Sequence, residues 1–198
     1  MIAAGNSNIF LKGKGCGHCF LIFCFKKPHC SGKPISVTIS DQCPGACDNI
    51  PYHFDLSGYA FGAMANHGEE HNLRMLGQVD IEHKRVPCLY GVTKIAFKVG
   101  PKSNPNWFAT AIEYTNGDGA LSHVEIADGG TKKFSTMDNT WGAVWKKDIA
   151  ASFKPPFSFK LTSGDGKTVV ANNVIPENYS PGQKYSSNIK ARLITQAT

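Results

Sequence analysis

The chain has 198 residues, a formal net charge of +6 and 41% apolar residues. This apolar content is enough for a hydrophobic core and excludes a wholly disordered chain. No apolar run approaches the roughly 20 residues of a membrane-spanning helix, which excludes that class of protein. Charged residues are only 18% of the chain, whereas Gly reaches 20 and Pro 11, so long surface helices and coiled coils are disfavoured.

The positive charge comes almost entirely from lysine. Of the 21 basic residues, only Arg74, Arg85 and Arg192 are arginines. Nucleic-acid sites prefer arginine, because its planar guanidinium contacts phosphates and bases in a bidentate manner. We therefore expect no nucleic-acid partner. Scattered lysine charge better fits an acidic polysaccharide of a cell wall or extracellular matrix.

The cysteine content is typical of an extracellular protein. Seven cysteines lie in the first 88 residues and none follows, namely Cys16, Cys19, Cys24, Cys30, Cys43, Cys47 and Cys88. The first residues nevertheless lack the basic and apolar regions of a signal peptide. From the odd cysteine count and the missing signal we expect a chain that is truncated at its start.

Two other chemistries fit part of the cysteine cluster. Cys16-Gly-His-Cys19 has redox spacing, but the residues after it predict a strand rather than the helix that activates such a thiol. Four cysteines with His18 and His29 could supply zinc ligands, although two separated C-x-x-C pairs are lacking. Structural disulfides are the preferred interpretation, and we expect no metal and no cofactor.

Short strands and tight turns alternate in the first half of the chain. Strands are predicted at residues 20–25, 35–39 and 79–86. Residues 55–65 instead have the composition and apolar spacing of a short helix, with Asp55 or Ser57 as its N-cap. One helix among strands indicates a β-barrel with an inserted helix.

After a short linker at residues 89–93, strand patterns recur at the spacing of a β-sandwich. The predicted strands are residues 94–99, 106–114, 121–127, 141–147, 156–162 and 167–171. Asn116-Gly117 and Asp118-Gly119 predict a hairpin between two of these strands. Ser163-Gly-Asp-Gly166 predicts another.

The strand around Trp107 has two different faces. Phe108, Ile112 and Tyr114 share the better core face by the two-residue period, so Trp107 is predicted to point outward. An exposed tryptophan can stack on the C–H face of a sugar ring. The alternative is an ordinary half-buried position.

His53-Phe-Asp55 is the candidate acid–base site. A glycosidase needs two carboxylates that flank the scissile bond, and Asp55 with Asp41 could form part of such a site. The sequence alone favours the alternative, in which Asp55 caps the following helix and His53 is a hydrogen-bonded loop residue.

Several motifs become specific when they are taken together. They are Gly13-Lys-Gly-Cys-Gly-His-Cys19, Cys30-Ser-Gly-Lys-Pro34, Val37-Thr-Ile-Ser-Asp-Gln-Cys-Pro-Gly45, His53-Phe-Asp-Leu-Ser-Gly58, Asn104-Pro-Asn-Trp107 and Thr140-Trp-Gly-Ala-Val-Trp145. In this order and spacing the chain resembles the plant β-expansins, cell-wall proteins that include the group-1 grass pollen allergens.

The resemblance implies a mainly β fold with two domains. Residues 1–90 would form a double-psi β-barrel of the six-stranded type, similar to family-45 endoglucanases, with its N-terminal part missing. Residues 94–189 would form an immunoglobulin-like carbohydrate-binding β-sandwich. The resemblance implies a secreted, monomeric protein that is not an enzyme. Such a protein would loosen plant cell walls by binding glucuronoarabinoxylan and cellulose. A glycoside hydrolase with Asp55 as general acid, or a non-functional fragment, is the alternative.

The resemblance also implies roles for single residues. Asp55 corresponds to the general acid of the endoglucanases, with His53 in its motif and Asp41 in the same groove. Trp107 and Trp141 correspond to platform aromatics that bind polysaccharide. Strand alternation would place Trp145 beside Trp141, but the resemblance places it outside the platform, so irregular backbone is expected between them.

Three disulfides are expected in such a protein, namely Cys24–Cys30, Cys43–Cys47 and Cys19–Cys88. Short loops suit the first two pairs, and Cys88 has to reach back to the cluster to hold the barrel. Cys16 is then the cysteine left over.

Overall fold

β-Strands make up most of the regular structure in residues 1–190, the part of the chain that this computed structural model describes. The chain divides into two units, the first being Met1–Pro87 and the second beginning at Cys88. Within residues 1–190 no helix is long and apolar enough to cross a membrane.

The first unit is built on one five-stranded sheet. Its elements are β1 (Ile2–Gly5), α1 (Ser7–Phe10), β2 (Cys19–Cys24), β3 (Ile35–Gln42), β4 (Phe54–Leu56), α2 (Gly58–Ala63), α3 (Glu70–Met75) and β5 (Ile81–Val86). Short 3-10 turns occupy Leu11–Gly13 and Gly45–Asn49. The strand order is β4-β1-β3-β2-β5, in which β1 and β3 are parallel and the other pairs antiparallel.

The helix predicted over residues 55–65 is shorter in the structure. Asp55 lies in β4, and α2 begins only at Gly58. Ser57 is the N-cap, since its hydroxyl accepts a hydrogen bond from the backbone N–H of Ala60 at 3.3 Å. The suggestion that Asp55 caps the helix is therefore wrong, which leaves its carboxylate available for another role.

Disulfide bonds hold the first unit, as a cysteine-rich sequence predicts. Cys24 is bonded to Cys30, and Cys43 to Cys47. Cys19 and Cys88 are also disulfide-bonded, while their pairing with each other stays a prediction. Oxidised sulfurs cannot serve as thiolate ligands, so the zinc alternative is wrong. Cys19 begins β2, so the C-x-x-C motif also lacks the helix that a redox thiol needs.

The second unit consists of two sheets. Its strands are β6 (Lys94–Val99), β7 (Trp107–Glu113), β8 (Leu121–Ala127), β9 (Ser135–Thr136), β10 (Asp138–Trp141), β11 (Val144–Asp148), β12 (Phe157–Ser163), β13 (Thr168–Ile175) and β14 (Lys184–Lys190). One sheet has the order β10-β11-β7-β6-β14, and the other has the order β13-β12-β8-β9. Their inner faces form one core, in which Phe97, Phe108 and Phe159 are fully buried.

One of the two hairpin predictions in this unit is wrong. β7 and β8 belong to different sheets, so Asn116-Gly117 does not join paired strands. Gly117 instead pairs with Cys88, and the side chain of Asn116 accepts the backbone N–H of Tyr90 at 2.7 Å. These contacts turn the chain from one sheet to the other. The second prediction is confirmed, because β12 and β13 pair across the turn at Ser163–Gly166.

A buried asparagine ties β1 to the segment that leads into β4. Asn6 is only 1% exposed. Its side-chain Nδ2 lies 3.3, 3.0 and 3.2 Å from the carbonyl oxygens of Cys47, Ile50 and Pro51. Its backbone N–H donates to the carbonyl of His53 at 3.0 Å. One side chain thus satisfies several carbonyls that a short loop cannot satisfy by itself.

We expect Asn6→Ala to lower the free energy of unfolding of the chain by about 1–3 kcal/mol, because it removes the amide donor from the carbonyls of Cys47 and Ile50. Urea denaturation followed by fluorescence measures this. Asn8→Ala is the matched control, because Asn8 donates to the same Pro51 carbonyl at 2.9 Å from an exposed position. An equal loss in the two variants would contradict the role assigned to Asn6.

Candidate functional site

Two carboxylates lie in one row of the first sheet. Ala4 of β1 pairs with Asp41 on one side and with Asp55 on the other. Cross-strand partners point to the same face, so Asp41 and Asp55 share it, with backbone positions about 10 Å apart across two strand spacings. Both side chains are exposed. The sheet therefore brings together the two acids that the sequence singled out.

A cleft of about 630 Å³ opens beside Asp55. Its lining residues are Ile50, Tyr52, His53, Phe54, Asp55, Leu56, Phe61, Met64, Leu76, Gly77, Gln78, Val79, Asp80 and Ile81. The cleft contains His53 and Asp55 as predicted together, but Asp41 is not part of its lining. Polar and apolar groups both line it, so the cleft can offer hydrogen bonds as well as apolar contact to a small ligand.

Sequence reasoning missed Asp80 and Tyr52 in this cleft. Asp80 directly precedes β5, and Tyr52 precedes His53. An acid at the start of a strand and an aromatic beside the His-Phe-Asp motif were the available signals. Neither has a spacing that marks a site, because β4 and β5 are distant in the chain.

Curling of the sheet explains how the cleft forms. β4 and β5 are its opposite edges. The ring centroids of Phe54, the first residue of β4, and His83 of β5 nevertheless lie 5.1 Å apart. Tyr52 reaches the same imidazole at 5.0 Å. Only a strongly curved sheet can bring its two edge strands into contact. The cleft therefore lies where the two edges of the partial barrel approach each other.

Two tryptophans share the outward face of the first sheet of the second unit. Trp141 pairs with Val144, and Val144 pairs with Ala111 of β7, which faces the same way as Trp107. Trp141 is 49% exposed, and Trp107 is half-buried. Between them this face carries Ala109 and Ala111 of β7 together with Val144 and Lys146 of β11. The face between the two rings therefore combines small apolar side chains with one lysine.

Trp145 points the other way. It pairs with Thr110 on the core face and is only 6% exposed. The strand predicted over residues 141–147 is instead a hairpin, because Gly142 and Ala143 form a turn between β10 and β11. The expected irregular backbone between Trp141 and Trp145 is confirmed, with Gly142 at a φ of 50°.

Charged side chains border the same outward face. Lys146 lies 3.8 Å from Asp138, and Lys184 forms a closer ion pair with Glu113 at 2.7 Å. The hydrogen bond to Glu113 raises the pKa of Lys184 above its usual range. The Lys184 ammonium also lies 5.6 Å from the ring centroid of Tyr114. Lys98 faces the same way, since it pairs with Ala111 and Lys184.

Comparisons with known proteins find matches for both units. A family model described as Expansin C-terminal domain matches residues 95–176, and one described as lytic transglycolase matches residues 2–82. The crystal structure of apo Clavibacter michiganensis expansin has a TM-score of 0.70 at 22% identity, covering 96% of this chain and 82% of that one. A mutant of that expansin in complex with cellohexaose has a TM-score of 0.71 at 22% identity, with the same coverage. These similarities confirm the predicted fold class.

Sequence relatives are considerably closer. Putative expansin-B2 of Arabidopsis thaliana is 44% identical over 191 residues, which cover 96% of this chain and 70% of that protein. Expansin-B1 of Zea mays has the same identity and coverage, and expansin-B10 of Oryza sativa subsp. japonica is 42% identical, with 96% and 71% covered. Because these relatives are aligned over most of both chains, the chain belongs to the expansin family and, within it, to the expansin-B proteins.

Proposed function

We propose that this protein loosens plant cell walls without hydrolysis, by binding matrix polysaccharide. The observation that carries the proposal is the shared outward face of Trp107 and Trp141. An extended polysaccharide can stack its sugar rings on such a face, and Lys146, which lies between the tryptophans on β11, can contact its polar groups. The cellohexaose complex of the related bacterial expansin supports a role in binding β-linked sugar chains.

The charge of the protein favours an acidic glycan. The net charge is +6, and Lys98 and Lys146 lie on the outward face that carries the tryptophans. Carboxylate groups of glucuronoarabinoxylan would gain attraction from these ammonium groups, and cellulose would bind through ring stacking alone. We further propose a secreted, cell-wall location, in agreement with the disulfides and the expansin relatives, and action as a monomer.

The cleft of the first unit is proposed as the second contact with the wall. Asp55, His53 and Asp80 can hydrogen-bond sugar hydroxyls while Tyr52 and Phe54 supply the apolar floor. A second candidate function is glycoside hydrolysis with Asp55 as general acid. The presence of Asp80 in the same cleft favours this candidate, because hydrolysis needs a second carboxylate.

We expect Trp141→Ala to weaken binding to xylan and cellulose about tenfold, the effect of losing about 1.4 kcal/mol at a central aromatic contact. Its melting temperature should hardly change, because the ring is half exposed. Trp145→Ala is the matched control: truncating this core side chain should cost about 3–5 kcal/mol of stability. Pull-down on insoluble polysaccharide and thermal melting measure the two quantities. Unchanged binding by Trp141→Ala would exclude it from the binding face.

We expect no steady release of reducing sugars from xylan or cellulose by the unmodified chain. We expect Asp55→Asn to reduce wall extension, because the substitution alters the polar group in the cleft. Reducing-sugar assays and extension of isolated wall strips measure these outcomes. Steady release that is lost in both Asp55→Asn and Asp80→Asn would support the hydrolase and overturn the non-hydrolytic proposal.

A further inference from the structure

β2 has two apolar faces, although it needs only one for the core. Phe20, Ile22 and Cys24 point inward and are buried. Leu21 and Phe23 lie on the other face by strand alternation and do not belong to the core cluster. A strand with one solvent-facing side normally alternates apolar with polar residues, so the outer apolar face is unexpected.

The outer face continues past the end of the strand. Phe25 is 52% exposed, and its ring lies parallel to that of Phe23, with 6.1 Å between the centroids and 3° between the planes. Leu21, Phe23 and Phe25 thus form a line along one strand, which we call the β2 outer strip. A line of apolar groups that ends in two parallel rings presents a surface for an extended ligand.

The segment beyond the strip is held in one conformation. The Cys24–Cys30 disulfide closes it, and the N–H of Cys30 donates to the carbonyl of Lys26 at 2.8 Å. His29 Nδ1 lies 2.6 Å from Glu69 Oε2. The backbone N–H of Asn66 donates to the carbonyl of His29 at 2.7 Å. Binding here would therefore cost little ordering entropy.

Positive charge surrounds the strip. Lys26 and Lys27 directly follow Phe25 and are exposed, and Lys84 lies opposite Leu21 on β5. Glu82, opposite Phe23, is the acid in the same row of β5. Within residues 1–190 none of the three lysines has an ion-pair partner, so the strip carries a net positive rim.

We propose that the β2 outer strip binds an acidic polysaccharide chain, as a contact additional to the tryptophan face and the cleft. Sugar rings stack on Phe23 and Phe25, and carboxylates of the chain meet Lys26, Lys27 and Lys84. A second copy of the protein fits less well, because two lysine-rimmed strips would repel each other. A linear, flat surface on a rigid strand suits an extended polymer better than it suits a lipid bilayer.

The test uses the full chain with glucuronoxylan and with the same xylan after chemical reduction of its carboxyl groups. Phe25→Ser should weaken binding to glucuronoxylan about fivefold, and Phe23→Ser/Phe25→Ser more strongly. Lys26→Gln/Lys27→Gln should weaken binding to the acidic xylan at low salt and leave binding to the reduced xylan unchanged. Tyr59→Ser is the control, because this tyrosine is 79% exposed on α2 of the same unit.

Unchanged xylan binding by Phe25→Ser, or an equal effect of Tyr59→Ser, overturns the proposal. Phe25-dependent binding to phosphatidylserine vesicles without xylan binding would identify a membrane as the partner and overturn it too. A dimer detected by sedimentation, if Phe25→Ser converts it to a monomer, would also overturn the proposal. Repeating the series in a Trp141→Ala background separates this strip from the proposed function. If Phe25→Ser weakens xylan binding and Trp141→Ala does not, the result supports the β2 outer strip and contradicts only the role proposed for the tryptophan face.

Discussion

The pairing register between β10, β11 and β7 controls which tryptophans can touch a ligand. Side chains in a strand alternate with a period of two, so a shift of one residue would exchange the inner and outer sets. The turn at Gly142 and Ala143 makes that shift between Trp141 and Trp145. One ring is thereby placed on the outward face and the other in the core.

A comparable constraint acts in the first unit, where the curvature of the sheet decides the site. β4 and β5 are the edges of the sheet, and their contact through Phe54 and His83 creates the cleft. Asn6 fixes the segment before β4 through its side-chain amide and so holds one wall in place. Asp55 is displayed by β4, whereas Asp41 sits in the same row but outside the cleft lining.

The two units expose aromatic groups in different ways. In the second unit Trp141 stands on a sheet whose other face supplies the core, the usual arrangement of a sandwich. In the first unit the β2 outer strip adds apolar groups to a strand whose inner face already meets the requirement for a core. Half of the Phe25 side chain is exposed, so the stability of the fold does not require an apolar residue at this position. A binding role explains why an aromatic residue stands there.

The sequence by itself determined the strand-rich fold class and the outward direction of Trp107, because local periodicity carries that information. Its motifs also pointed to the family, and that resemblance implied the short-range Cys24–Cys30 and Cys43–Cys47 pairs. It misjudged Asn116-Gly117, because the same turn residues serve a hairpin or a crossing between sheets. Only the tertiary structure decided that Ser57 caps α2, that Asp80 joins Asp55 in one cleft and that Trp145 is buried. The last two depend on contacts between segments far apart in the chain, on which local propensity has no bearing. The cap is a local hydrogen bond from Ala60 to Ser57, and the structure decided only between the two capping residues that the sequence offered.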